Sequence, residues 1–252
     1  MATLMCLFWL TAFTGSAAGM FEGAAVEQRF EVPARAELVV KGSFFSLDIT
    51  GYEGDVIAGR AVMSERVRRR NAVAIVTRDG PEKVTVEVVT NDRNVLRSSM
   101  LWYPQIRLRV PHGVSVAVTA AGDLILQDLR APSADLYTFE GDIIVRDVTA
   151  ELFTTNAAGV TRVFDSHGPK WLLSSNGDVS VDGGAGDVRV QTIDGRLTLR
   201  GVAGDVVTNV AVEDIRIEGL DGTITHAPAP VKGEPGAGGG PGAGGGAGSG
   251  GG

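Results

Sequence analysis

The chain has 252 residues and a formal net charge of −7 at pH 7, with a sequence pI near 5.0. This acidity argues against a general nucleic-acid binder, because such proteins attract phosphate backbones with an excess of Lys and Arg. Hydrophobic residues make up 44% and charged residues 21%, an ordinary globular balance, whereas the 35 glycines are about twice the usual share.

The first 18 residues have the pattern of a signal peptide. An apolar run, "LMCLFWLTAF", is followed by "TGSAAG", whose small residues fit cleavage after Ala18. No Lys or Arg precedes the run, so an atypical signal, a start further upstream and an uncleaved anchor stay open. Cys6 is the only cysteine, so the processed chain would have no disulfide and no thiolate metal site. The sequence therefore predicts export to the periplasm, cell surface or medium, with no transmembrane span after signal cleavage.

Residues 26 to about 120 contain short alternating segments that are typical of strands. Examples are "AELVVKG", "KVTVEVVT" and "QIRLRVP", separated by longer polar connections. We expect loops and edge strands that cover the first coil of a repeat, since an end coil exposes unpaired backbone groups. The basic cluster "RVRRR" (66–70) is either a solvated loop or a site for anionic glycans or lipid headgroups. The aromatic segment "SSMLWYP" (98–104) is interpreted as a core strand rather than a binding platform.

The second half of the chain shows a glycine period of nine residues. Glycine occupies positions 159, 168, 177, 186, 195, 204 and 222, and Glu213 fills the missing slot. Most of these glycines are followed by a short alternating strand such as "GDVSVDG" or "GRLTLRG". Constant spacing favours a coil over hairpins, because each circuit must match its neighbour. We therefore predict eighteen-residue coils of two flats and two corners, in which Val179, Leu197 and Ile215 stack, with Ile143 in the same column.

Positive φ explains glycine at a tight corner, but a second interpretation is calcium binding. The stretch "DGGAGDVRV" (182–190) nearly matches the calcium repeat G-G-x-G-x-D-x-U-x. Asp187 comes one position too early, and Val188 takes the ligand slot, so the side chain points to the wrong face. We interpret Asp178, Asp205 and Asp214 as corner residues that bond nearby backbone amides. The alternative is that Asp187, stacked near Asp205, holds a cation loosely.

Aromatic and histidine residues are further site candidates. Trp171 and Leu173 stand where the ladder register would place Lys170 and Leu172 inward, so we expect Pro169 to introduce a bulge that lets Trp171 pack instead. The alternative is an exposed Trp171 that stacks on sugars. His112, His167 and His226 have no metal-ligand spacing and are interpreted as ordinary surface residues.

Two sequence features resemble a known bacterial family. One is "RLRVPHGVSVAVTAAGDLILQDL", with a v-P-x-G-x-x-v-x-v segment, and the other is the series of G-D-v-x-v turns in "SSNGDVSVDGGAGDVRVQTIDGRLTLRGVAGDV". Over about residues 26 to 226 they are similar to the β-strand-repeat domains of unknown function called putative adhesins. The resemblance implies export and a parallel β-solenoid, and it brings no catalytic residues.

The sequence as a whole predicts an all-β fold, a single-stranded parallel β-solenoid (β-helix-like) with about 18-residue coils, preceded by a looser β region. The predicted domains are a signal peptide (1–18), the solenoid domain (19–228) and a disordered Gly-rich tail (229–252), since thirteen of the last twenty residues are glycine. We predict no catalytic residue, no cofactor and no metal site.

Three classes of function stay open at this point. The first is a non-catalytic, adhesin-like surface-contact or structural module, and the second is an envelope sensor or accessory partner of a signalling system. The third is a polysaccharide-cleaving β-helix enzyme, which would need a groove of clustered carboxylates or basic residues that the repeat sequence does not show. The partner is unknown, with a surface glycan or an envelope protein as candidates and nucleic acid excluded.

Overall fold

The structure is a computed structural model that describes residues 25–42, 45–64, 74–89, 104–211 and 214–226. The described residues form twenty β-strands and no α-helix. The strands are β1 Ala25–Pro33, β2 Glu37–Gly42, β3 Ser46–Tyr52, β4 Val56–Ser64, β5 Ala74–Asp79, β6 Lys83–Val89, β7 Gln105–Pro111, β8 Ser115–Ala120, β9 Leu124–Gln127, β10 Arg130–Thr138, β11 Ile143–Arg146, β12 Thr149–Ala158, β13 Thr161–His167, β14 Lys170–Asn176, β15 Val179–Ala185, β16 Val188–Asp194, β17 Leu197–Arg200, β18 Val206–Thr208, β19 Ile215–Glu218 and β20 Ile224–His226.

The strands lie in two facing ladders, here called sheet A and sheet B. Sheet A has the order β5-β6-β2-β8-β10-β12-β14-β16-β18-β20. Sheet B has the order β1-β4-β7-β3-β9-β11-β13-β15-β17-β19. Among the described strands, the pair Thr149 with His167 links the two sheets. The chain therefore crosses from one sheet to the other at each corner of a flattened coil.

Register in the second half confirms the eighteen-residue coil. In sheet B, Val179 pairs with Leu197, which pairs with Ile215, and in sheet A Val188 pairs with Val206. All the described pairs from β8 to β20 are parallel, so these strands are not neighbouring hairpins. Six coils run from β8–β9 to β18–β19, and β20 begins another.

The core lies between the two sheets, where alternate residues of the strands up to β18 are buried. Val179 is 1% exposed, and Leu197 and Ile143 are fully buried. Ile143 and Val179 lie in one column, as predicted, with Thr161 between them. Each such aliphatic side chain contributes roughly 1.5–3 kcal/mol on burial, so the stacked columns stabilise the coil without a ligand.

Two kinds of special backbone position recur at the corners between the flats, and the corner from β17 to β18 has both, at Gly204 and Gly201. At the first kind, glycines stack so closely that a side chain is excluded: a Cβ on Gly204 would lie 2.6 Å from the carbonyl oxygen of Gly186, and its φ is +147°. Glycine is thus required at this position for two reasons. One is positive φ, as the sequence predicts, and the other is the close approach of the backbone in the adjacent coil. At the second kind, Asp128, Asp147 and Asp165 have φ values of 55°, 52° and 45°, and glycines take over this left-handed position in the later coils.

The N-terminal region covers the first coils, as expected. Three of its pairs are antiparallel, β1–β4, β4–β7 and β5–β6, and they form the end of each sheet. The β2–β3 coil lies between the β6–β7 coil and the β8–β9 coil, although it precedes both in sequence. The chain therefore steps over the β2–β3 coil when it passes from β7 to β8, a rise of about 10 Å for two strand spacings.

The step from β7 to β8 uses the V-P-x-G segment that resembles the bacterial family. The amide of His112 donates to the carbonyl of Tyr52 at 3.0 Å, and the amide of Gly113 donates to the carbonyl of Arg130 at 2.7 Å. Gly113 has a φ of +86°, a conformation that L side chains rarely adopt. This motif therefore marks the crossover that locks the N-terminal coils into the solenoid.

The predicted bulge at Pro169 is wrong. Strand β14 keeps an unbroken eighteen-residue register with β12 and β16, so Lys170 (1% exposed) and Leu172 (0%) point into the core. The Nζ of Lys170 donates to the carbonyls of Gly168 at 2.9 Å and Ala185 at 3.0 Å. These bonds replace the water that a buried ammonium loses, which is why a lysine is accommodated in an apolar column.

Candidate binding surface on sheet A

The outer face of sheet A carries a column of four side chains in register, here called the fin. Asp135 pairs with Phe153, Phe153 with Trp171 and Trp171 with Arg189 on consecutive strands. These residues point outward because their neighbours in sequence, such as Leu152 and Leu172, fill the core. The rings of Phe153 and Trp171 are stacked, with centroids 4.6 Å apart and an interplanar angle of 7°. The structure thus places Trp171 half-buried on the outer face, as the alternative interpretation expects, and its stacking on sugars stays a prediction.

Further apolar side chains extend the fin into a patch. Tyr137 and Phe139 meet edge to face with centroids 4.8 Å apart. Phe139 is 52% exposed, Leu173 42% and Ile193 81%. Phe139 follows Tyr137 by two residues, so the same alternation that turns Tyr137 outward also exposes Phe139. These exposed apolar side chains make the outer face of sheet A a candidate contact surface.

The two ends of the fin differ in charge. Asp135 is exposed, yet desolvation raises the pKa of its carboxyl above the usual value. Arg189 is exposed at the opposite end. Within the part of the chain that the structure describes, no carboxylate forms an ion pair with its guanidinium. The fin is therefore an aromatic pair between an acidic side chain and an unpaired basic one.

The outer face of sheet B is different, because its charges pair with one another. Arg162 forms an ion pair with Asp142 at 3.3 Å, and Glu218 pairs with Arg200 at 3.1 Å and Arg216 at 2.6 Å. Two aromatic rings on this face are covered by guanidinium groups: Arg146 lies 5.3 Å from the ring centroid of Phe164, and Arg109 lies 4.3 Å from that of Tyr52. Because these guanidinium groups already have partners, sheet A carries the better candidate site.

The corner aspartates bond backbone amides, as predicted, but the amides belong to the next coil. The Oδ1 atom of Asp178 accepts from the amide of Arg196 at 2.9 Å, and that of Asp205 accepts from the amide of Thr223 at 2.9 Å. Hydrogen bonds from the backbone and side chain of Thr223 lower the pKa of Asp205. For Asp214 the structure shows a different bond, from its own amide to the carbonyl of Ala211.

Asp187 and Asp205, which the alternative interpretation pairs around a cation, also accept hydrogen bonds from backbone amides. Asp187 accepts the amide of Asp205 at 3.2 Å, so the two residues are joined by a ladder hydrogen bond. In the described part of the chain, no three His, Cys, Asp or Glu side chains lie together as a metal site requires.

The three histidines lie in separate parts of the fold. His112 is at the β7–β8 crossover, where its Nδ1 accepts the amide of Arg130 at 3.3 Å. His167 ends β13 and His226 ends β20, and both are exposed. The cluster "RVRRR" (66–70), residues 98–103 of "SSMLWYP", the predicted signal peptide and the tail from 229 lie outside the described residues.

Sequence reasoning singled out Trp171 but missed Asp135, Phe153 and Arg189. Their spacing held the signal, because the four positions are eighteen residues apart, like alternate corner glycines. Applying the coil period to outward positions would have aligned them in one column.

No family model and no curated protein matches this chain. Solved structures do. A putative adhesin from Parabacteroides distasonis is 12% identical with a TM-score of 0.44, covering 82% of this chain and 98% of its own. A putative adhesin from Bacteroides fragilis is 11% identical with a TM-score of 0.44, covering 81% of this chain and 97% of its own.

This chain is similar to putative adhesins. A third structure, a putative cell adhesion protein from Clostridium sporogenes, is 11% identical with a TM-score of 0.32, covering 79% of this chain and 98% of its own. The names agree with the family that the sequence motifs resemble.

Proposed function

We propose that this protein is a non-catalytic, adhesin-like surface-contact module that binds carbohydrate through the fin on sheet A. The observation that supports this most directly is the stacked pair of Phe153 and Trp171 on a solvent-facing sheet. Aromatic rings bury large areas of a partner and give specific geometry, and Trp adds an N–H donor at the edge of the ring. The apolar faces of sugar rings suit such a surface.

The scaffold favours binding by a preformed site. Phe153 and Trp171 sit on central strands, each hydrogen-bonded on both sides, so their Cα positions are fixed by the ladder. A site on strands is held more rigidly than one on loops, and less entropy is lost on binding. Polar residues next to the rings, Thr155 and Gln191, offer hydrogen bonds to hydroxyl groups.

Export is part of this proposal. It is supported by the signal-peptide pattern of residues 1–18 and by a processed chain without thiols. Among the residues that the structure describes, no helix is both long and apolar enough to cross a membrane.

The test is glycan-array binding by the purified mature protein and two alanine variants. Trp171→Ala should reduce binding at least tenfold, because it removes half of the stacked pair. Phe164→Ala is the matched control, since it removes an aromatic ring from the outer face of sheet B. Equal binding by wild type and Trp171→Ala, or equal losses in both variants, would contradict the proposal.

A further inference from the structure

We propose that the saccharide bound at the fin is acidic and that Arg189 receives its anionic group. This inference rests on the function proposed above, since it names the class of carbohydrate at the same site. It is carried by the position of Arg189 beside the free side of the aromatic pair.

The stacking geometry determines which ring face is available. One face of Trp171 is covered by Phe153, at 4.6 Å and nearly parallel. The other face is therefore turned towards β16, where the residue in register is Arg189. Strands in a ladder are ~4.8 Å apart, close to the thickness of one stacked ring, so a sugar on this face of Trp171 lies directly over Arg189.

Arg189 has no competing partner in the described part of the chain. Three arginines of sheet B, Arg162, Arg200 and Arg216, each pair with a carboxylate. The carboxylate closest to Arg189 in sequence on this face, Asp187, accepts the backbone amide of Asp205 instead. A guanidinium binds a carboxylate through two parallel hydrogen bonds, which makes an acidic sugar the complementary ligand.

Asp135, at the other end of the fin, determines which way an acidic saccharide would lie on it. Asp135 lies beside Phe153, three strand spacings or about 14 Å from Arg189. Its carboxylate repels an anion and accepts hydrogen bonds from hydroxyl groups. An acidic oligosaccharide is therefore expected to place its charged group over β16 and its neutral part towards β10.

The experiment compares matched pairs of oligosaccharides by calorimetry with the mature protein. The probes are oligomers of glucuronate, galacturonate and mannuronate and their neutral glucose, galactose and mannose counterparts. The wild type should bind at least one acidic member about tenfold or more tightly than its neutral counterpart, and this preference should shrink as salt is added. Arg189→Gln should abolish the preference without weakening the neutral member, and Arg189→Lys should retain part of it.

Control variants separate this inference from the function on which it rests. Arg162→Gln removes a guanidinium from sheet B and should leave the preference unchanged. The inference is overturned if the wild type binds neutral members equally or better, binds no member of any pair, or keeps its preference in Arg189→Gln. If Trp171→Ala leaves binding of both members intact, the proposed function fails instead.

Discussion

A side chain on Gly204 would meet the backbone of Gly186, the glycine directly below it in the stack, with its Cβ 2.6 Å from the carbonyl oxygen. The contact is with backbone, so it cannot be relieved by a rotamer change. Gly201, three residues earlier, also has positive φ (+56°), but the closest atom to its added Cβ is the Cα of Gly183 at 4.0 Å. A substitution at Gly204 therefore meets steric exclusion and backbone strain together, whereas a substitution at Gly201 meets backbone strain alone.

Gly204→Ala should destabilise the protein by about 3 kcal/mol or more, because close packing and strain act together. Gly201→Ala should cost only about 1–2 kcal/mol, the usual penalty of a left-handed residue. Gly201→Asp should cost less, because Asp165 and Asp147 already take this conformation two and three coils earlier. Urea denaturation measures all three, and equal losses for Gly204→Ala and Gly201→Ala would contradict the stacking argument.

Folding should not depend on divalent metal. Val188 occupies the slot of the calcium ligand and is fully buried, so the core and not ion binding drives folding. Circular dichroism and melting curves of the mature protein should agree in excess EDTA and in millimolar calcium. Val188→Asp should lower the melting temperature by burying an unpaired carboxylate, and calcium should not restore it. A β-signal that disappears in EDTA and returns with calcium would promote Asp187 and Asp205 to ligands.

Lys170 should make stability depend on alkaline pH. Burial lowers the pKa of Lys170 to about 8, from 10.5 for an ordinary lysine. Between these values the unfolded chain binds the extra proton, so the free energy of unfolding rises as pH increases from about 8 to 10.5. Below pH 8 the destabilising contribution of the buried charge is fully present.

Lys170→Met is the matching variant, because it keeps a long side chain without the charge. It should be more stable than the wild type at pH 7, and the difference should shrink as pH approaches 10.5. Thermal melts of both proteins across this range measure the effect. Parallel curves would show that Lys170 does not titrate in this window.

Signal cleavage should leave a mature N-terminus at Gly19. The small residues of "GSAAG" place the cleavage after Ala18. N-terminal sequencing of the protein recovered from the envelope or the medium tests this, and recovery of Met1 would show that the segment is retained.

The regular coils were predictable because their signals are local. Glycine spacing and period-two alternation are enough to predict the parallel register of residues such as Val179 and Leu197. The N-terminal order could not be predicted in the same way. Leu38 pairs with Val84 on one side and with Val116 on the other, and no period in the sequence connects these positions.

The site was predicted only in part. The sequence singles out Trp171, but it predicts a bulge at Pro169 that packs Trp171 inside in place of Lys170. The carbonyls of Gly168 and Ala185 reverse that judgement, and such partners appear only when the coils are stacked. Phe153 and Arg189 join the site because they lie in register with Trp171 on adjacent coils, and not because of the residues next to them in the sequence.

Because of the crossover from β7 to β8, coils can be added to this solenoid more readily at its C-terminal end than at its N-terminal end. A new coil at the N-terminal end would have to be threaded past the β2–β3 coil and the antiparallel strands beyond it, whereas duplication of eighteen residues after β16 lengthens the rod by a single strand spacing of ~4.8 Å. The same duplication inside β12–β16 would pull the fin apart. Related chains with more or fewer coils are therefore expected to differ in their C-terminal half, by multiples of eighteen residues, and to keep the fin at a fixed height above the crossover.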